Sequence, residues 1–116
     1  MSYSSGVLFS IDTAMALRGG VNAETITSHK VVSYQSSTYQ IITNNTAGAL
    51  EVRLPGANAG SGEKLPNGGV YFIRSAGSQA LTIQGESGAT KATLATNESG
   101  LFACDGTNWF LVFKGS

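Results

Sequence analysis

The segment from Gly100 to Lys114 leaves this chain few folding options. Gly100-Leu101-Phe102-Ala103-Cys104 and Trp109-Phe110-Leu111-Val112-Phe113-Lys114 are apolar runs separated by Asp105-Gly106-Thr107-Asn108. Two such runs around an Asp-Gly turn predict a β-hairpin. Gly supplies a positive φ, and Asp and Asn bond their own backbone. A lone hairpin is marginal in water, and a strand carrying Trp109, Phe110 and Phe113 needs other strands to cover it. The hairpin therefore implies a packed all-β body.

Upstream the same alternation of strand and turn recurs. Strands are predicted at Val31-Val32-Ser33-Tyr34, over residues 38–43, and at Leu50-Glu51-Val52-Arg53-Leu54, which Pro55-Gly56 ends. Residues 57–69 combine Pro66 with several glycines and read as loop. Val70-Tyr71-Phe72-Ile73-Arg74 is the strongest strand, and Ala76-Gly77-Ser78-Gln79 is expected to turn it into Ala80-Leu81-Thr82-Ile83-Gln84. Gly85-Glu86-Ser87-Gly88, a weak strand over residues 91–95 and the turn Asn97-Glu98-Ser99-Gly100 lead into the closing hairpin. About seven or eight short strands joined by tight turns predict an antiparallel β-sandwich, jelly-roll-like, or a small barrel. The antiparallel order is inferred from loops too short for helical crossovers.

Alternation places Leu50, Val52, Leu54, Val70, Phe72, Leu81, Ile83, Leu101, Trp109, Leu111 and Phe113 in the core. With Trp109 inward, Phe110 and Val112 face outward, which makes them candidate contacts between subunits. Cys104 shares a face with Phe102 and reads as a small apolar filler rather than a reactive thiol.

Residues 1–29 differ from the rest. Tyr3, Val7, Leu8, Phe9, Ile11, Met15 and Leu17 are apolar without a sustained period. Asp12 is placed to cap a short helix over residues 13–18, which Gly19-Gly20 would stop. A helix this short does not stand alone in water. The division expected is an N-terminal arm over residues 1–29, ordered by lying on another surface, and a β body over residues 30–116.

Charge excludes several functions. Charged residues are 12% of the chain, seven basic and seven acidic, with formal net charge zero. That is about half the usual share, and the bases do not cluster. A nucleic-acid footprint is missing, as is a basic patch for anionic membranes. A surface this poor in charge suggests coverage by other subunits. The single cysteine, Cys104, excludes an intrachain disulfide and cysteine-based zinc sites. Neither a membrane-spanning apolar run nor a signal peptide is read from the sequence.

Catalytic chemistry is equally sparse. His29 is the only histidine; it is chemically able to act as a base, but a solvent-facing or backbone-bonded imidazole is the plainer reading. Asp105, Gly106, Asn108 and Trp109 are explained by the turn they build. No nucleophile elbow, metalloprotease pair or phosphate loop occurs; Gly60-Ser61-Gly62-Glu63-Lys64 lacks the spacing and following helix of the last. Catalytic residues, metal ligands and cofactors are accordingly expected to be none. Trp109, Phe110, Tyr71 and Tyr39 are the aromatics from which a sugar platform would be built.

Leu54-Pro55, Leu65-Pro66-Asn67-Gly68-Gly69, Tyr71-Phe72-Ile73, Leu81-Thr82-Ile83 and Cys104-Asp105-Gly106-Thr107-Asn108-Trp109 follow one another in an order that resembles a small β domain of tailed bacteriophages. That domain occurs in capsid decoration (cement) proteins, head fibres and tail-fibre modules, and the likeness covers residues 38–114. The resemblance implies a homotrimer with structural work and no reaction, made in the host cytoplasm and located on the virion. A short arm without heptads or a collagen-like repeat favours a decoration protein that docks on the major capsid protein and stabilises the head shell. The alternative is a tail-fibre or receptor-binding module that holds glycan; a small polysaccharide hydrolase ranks last.

Overall fold

A computed structural model describes residues 20–33, 36–56 and 68–116. Among the described residues, nine strands form two mixed sheets: β1 Val21–Ile26, β2 Lys30–Val31, β3 Tyr39–Asn44, β4 Leu50–Arg53, β5 Val70–Ser75, β6 Leu81–Gln84, β7 Thr90–Leu94, β8 Ser99–Cys104 and β9 Trp109–Gly115. The five-stranded sheet has the order β1-β3-β5-β8-β9 and the four-stranded sheet the order β2-β4-β6-β7. The all-β reading and most strand positions agree with the sequence reading.

The strand order does not. From β1 to β6 the chain places successive strands alternately in one sheet and the other. Neighbours within a sheet are therefore parallel: β1 with β3, β3 with β5, β2 with β4, and β4 with β6. The path is that of three successive coils. Among the described residues, antiparallel pairing is confined to β5–β8, β6–β7 and β8–β9. The tight turn at Ala76-Gly77-Ser78-Gln79 therefore joins strands of different sheets and makes no hairpin. A short turn ends a strand without saying whether the next lies beside it or opposite it. A parallel crossover needs a long connection, and here a strand of the other sheet supplies that length.

The corners explain why the chain crosses over. Asn44, fully buried at the end of β3, donates its amide to the carbonyls of Gly48 and Ala80 at 3.0 Å each. Its Oδ1 accepts from the Thr46 N–H at 3.0 Å and the Thr46 hydroxyl at 2.6 Å. One side chain thus satisfies backbone groups in the corner after β3 and in the corner after β5. The Ser78 N–H adds a bond to Asn45 Oδ1 at 2.9 Å. Corner backbone outside the strand ladders finds its partners in these side chains.

One core serves both sheets. Ile26, Ile42, Tyr71, Ile73, Phe102, Cys104 and Trp109 come from the larger sheet, and Val52, Leu81, Ile83 and Leu94 from the smaller, with Val32 and Leu54 just beyond strand ends. Val52, Leu54, Leu81, Ile83 and Trp109 are core as expected, and Leu50 and Leu111 pack partly buried against it. Val70, Phe72, Leu101 and Phe113 are not in the buried cluster; Tyr71, Ile73 and Phe102 take the inward positions instead. Strand β5 is apolar on both faces, so alternation alone leaves its inward face undetermined.

Residues 21–26 also depart from the arm expected over 1–29. They form β1, whose six residues pair in register with Tyr39–Asn44. Alone, Val21-Asn22-Ala23-Glu24-Thr25-Ile26 has no apolar face; the neighbouring strand makes it a strand. The predicted helix over residues 13–18 lies outside the described residues, as do 57–67 of the long loop.

Candidate interaction face

The outer faces of the two sheets have opposite character. On the four-stranded sheet Glu51, Arg53, Thr82 and Gln84 point away from the core, opposite buried Val52, Leu81 and Ile83. Arg53 donates to Glu51 Oε1 at 2.6 Å and to Gln84 Oε1 at 3.1 Å. The Arg53 hydrogen bond holds the Glu51 carboxyl below the usual carboxylate range. This face is a largely hydrogen-bonded, ion-paired surface, with exposed Val31, the register partner of Arg53, as its apolar member on the edge strand.

The outer face of the five-stranded sheet is apolar. Register partners connect Val21 to Tyr39, Tyr39 to Phe72, Phe72 to Leu101, and Leu101 to Phe113. One apolar row therefore crosses all five strands. A second row joins Val70, Ala103 and Phe110, and Ala23 pairs with Ile41 on the other flank. Tyr39 and Phe72 stack with ring centroids 4.8 Å apart. The row stays open at both ends: Val21 is 60% exposed and Phe113 59%. Arg74 supplies the charge on these rows.

A β-bulge decides which aromatics reach this face. Phe102 pairs with Leu111 and Leu101 with Phe113, leaving Val112 as the extra residue of β9. The bulge resets the alternation. Phe110 and Phe113, three positions apart, consequently share the outer face. Strict alternation had placed Phe110 and Val112 together outside and Phe113 in the core. Phe110 and Val112 are exposed as expected, and Phe113 joins them.

Between β1 and β5 the face is grooved. Val21, Tyr39, Ile41, Phe72, Arg74 and Ser99 line a concavity of about 250 Å³. Arg74 donates to the Ser99 hydroxyl at 3.4 Å, at the groove's polar end.

The remaining sequence candidates fall elsewhere. Asp105 Oδ1 accepts from the N–H groups of Thr107 at 2.9 Å and Asn108 at 2.8 Å, and Gly106 has φ +94°. Those two bonds, that to Asn108 foremost, hold the Asp105 carboxyl below its usual range. Trp109 is buried, and its indole N–H donates to the Pro55 carbonyl at 2.9 Å. Tyr71 is buried against Trp109 with ring centroids 5.7 Å apart, its hydroxyl donating to the Ser33 carbonyl at 2.6 Å. Neither ring is presented to a sugar. Burial pushes the Cys104 thiol above its ordinary value, and the Gly106 N–H lies 3.4 Å from its sulfur. His29 Nδ1 accepts the Glu51 N–H at 2.9 Å. Tyr3, Val7, Leu8, Phe9, Ile11, Met15 and Leu17 lie outside the described residues.

Among the described residues no group of three or more His, Cys, Asp or Glu side chains is placed to hold a metal ion, and no helix is long and apolar enough to cross a membrane. No protein-family profile, curated protein or solved structure matches this chain.

Proposed function

We propose that this chain is a structural virion protein of the decoration type, a β-sandwich that packs on other protein subunits and carries out no reaction. The observation that carries the proposal is the apolar row Val21–Tyr39–Phe72–Leu101–Phe113, set against a largely polar outer face on the other sheet. A surface rich in aromatics and poor in charge, Arg74 apart, has the composition of the buried centre of a protein interface. Leaving it in water carries an aggregation liability that a folded monomer normally avoids.

In this reading the five-stranded sheet faces other subunits and the four-stranded sheet faces solvent. The resemblance to tailed-phage β domains supplies the setting: a homotrimer on a head shell formed by the major capsid protein. The apolar side chains of residues 3–17 supply further contact with that shell. Many copies, each weakly held, clamp a lattice through multivalency. The glycan-binding alternative loses support from the burial of Trp109 and Tyr71.

The test is the copy number per purified particle, by quantitative mass spectrometry against the major shell protein. A count in simple proportion to the shell subunit is expected. A handful of copies per particle, or none, would overturn the decoration reading.

A further inference from the structure

The groove of about 250 Å³ across β1, β3 and β5 lies where the chain enters the larger sheet. Val21, the first residue of β1, is both a wall of the groove and one end of the apolar row. We propose that the groove is filled by this chain's own N-terminal segment, residues 3–17, folded back over the sheet it leads into. The inference goes beyond the proposed function, because it concerns the free chain. It leaves exposed Phe110, Val112 and Phe113 at the β9 end to other subunits.

Connectivity brings the occupant to its site. Residues 1–19 lead directly into Gly20 and Val21. Gly20 has φ +68°, a left-handed conformation that glycine adopts freely. The chain can therefore leave the line of β1 there instead of running on past the end of the sheet. A segment on the same chain meets the groove at an effective concentration on the order of millimolar, so a weak contact is enough. A separate partner has to supply that affinity itself.

Composition matches the site. A dry cavity of about 150 Å³ takes a benzene-sized ring, so the groove has room for about one or two large apolar side chains. Val7-Leu8-Phe9 offers them in one run. Seating that run in the groove takes the apolar surface of both out of water.

Charge adds a second match. Arg74, at the polar end of the groove, has the Ser99 hydroxyl but no acidic partner among the described residues. The acid of residues 1–19 is Asp12. Arg74 stands two strands across and two residues along from Val21, about 12 Å by sheet spacings. The nine residues from Asp12 to Val21 cover about 14 Å even as a helix and about 30 Å extended. The segment is long enough to bring Asp12 to Arg74 in either conformation.

A nitroxide on the full chain, read by NMR, tests this. Ser10→Cys puts a thiol in the segment, and Thr13→Cys serves as a second attachment point. Cys104 is buried, so the new thiol is the one the spin label reaches. Trp109 emission checks that the β body is folded in each variant. The expected result is loss of the Tyr39, Ile41 and Phe72 signals to paramagnetic broadening, with those of Glu51 and Thr82 on the other sheet retained. Adding Leu8→Asp and Phe9→Asp to the spin-labelled chain is expected to restore most of the groove signals. A mixture of spin-labelled chain with isotope-labelled, unmodified chain is expected to leave them intact. Groove signals that stay sharp in the spin-labelled chain overturn the proposal. So does broadening that survives the two Asp substitutions, which is tethering alone. Broadening as strong in the mixture also overturns it, by giving the groove to a neighbouring copy. Copy number per particle tests the decoration reading separately, and neither result decides the other.

Discussion

Asn44 donates its side-chain amide to the carbonyl of Ala80 at 3.0 Å and so joins the corner after β3 to the corner after β5. The two residues are 36 positions apart in sequence, yet their corners stack because the coils do. Replacing Asn44 with Ala would strip the Gly48 and Ala80 carbonyls and the Thr46 N–H of their buried partner. The expected cost is about 2–4 kcal/mol, read as a lowered urea midpoint. An unchanged midpoint would mean that water replaces the amide.

Gly77 sits against the same corner. A Cβ there would run into the backbone of Asn44, whereas one at Gly48 would meet nothing within 4 Å. Gly77→Ala is expected to destabilise by roughly 2 kcal/mol or more through overpacking against backbone that cannot move aside. Gly48→Ala is expected to stay within about 0.5 kcal/mol. Thermal unfolding of the pair checks the stacked-corner arrangement directly, since equal effects would contradict it.

Glu86 links the sheets and gives stability its pH dependence. Its carboxylate bonds Lys91 Nζ at 2.7 Å on the smaller sheet and accepts the Trp109 N–H at 2.8 Å on the larger. Burial pushes this carboxyl up, but Lys91 and the Trp109 N–H outweigh it and hold it below its usual range. A lowered folded value means that the unfolded chain takes up the proton first on acidification. The stabilisation is therefore complete at neutral pH and is lost as pH falls below about 5 toward the folded value. Glu86→Gln should lower stability at pH 7 and flatten the acid limb of a plot of unfolding temperature against pH. An acid limb as steep as the wild type's would assign it to other carboxylates.

Inward and outward aromatics should separate in one experiment on dissociated protein. Phe102→Ala removes a fully buried ring and is expected to cost about 3–5 kcal/mol. Phe113→Ala removes an exposed one and should shift monomer stability by no more than about 0.5 kcal/mol. Reversal of the two values would restore the strict alternation that puts Phe113 in the core.

Cys104 is expected to react slowly with a disulfide exchange reagent at neutral pH and quickly in denaturant. It is buried, and burial raises its thiol above the ordinary value, so both access and thiolate fraction are reduced. Fast labelling of the native protein would require an opening at the β8–β9 turn.

Local chemistry made much of the fold legible. The Asp105-Gly106-Thr107-Asn108 turn, the strand at Val70-Tyr71-Phe72-Ile73 and the alternation of Leu50-Glu51-Val52-Arg53 can be read from residue type, because positive φ, β-branching and period two act over a few residues. So can the outward placement of Phe110 and the scarcity of charge that suggests a covered surface. The tertiary structure alone decided which strands are neighbours, which face of β5 is buried and where β9 bulges. Whether a short turn leads beside its strand or across to the other sheet depends on partners tens of residues away, such as Asn44 for Ala80. The face of a strand apolar on both sides is chosen by what lies opposite. One extra residue at Val112 moves Phe113 from core to surface, and no pattern within β9 marks it.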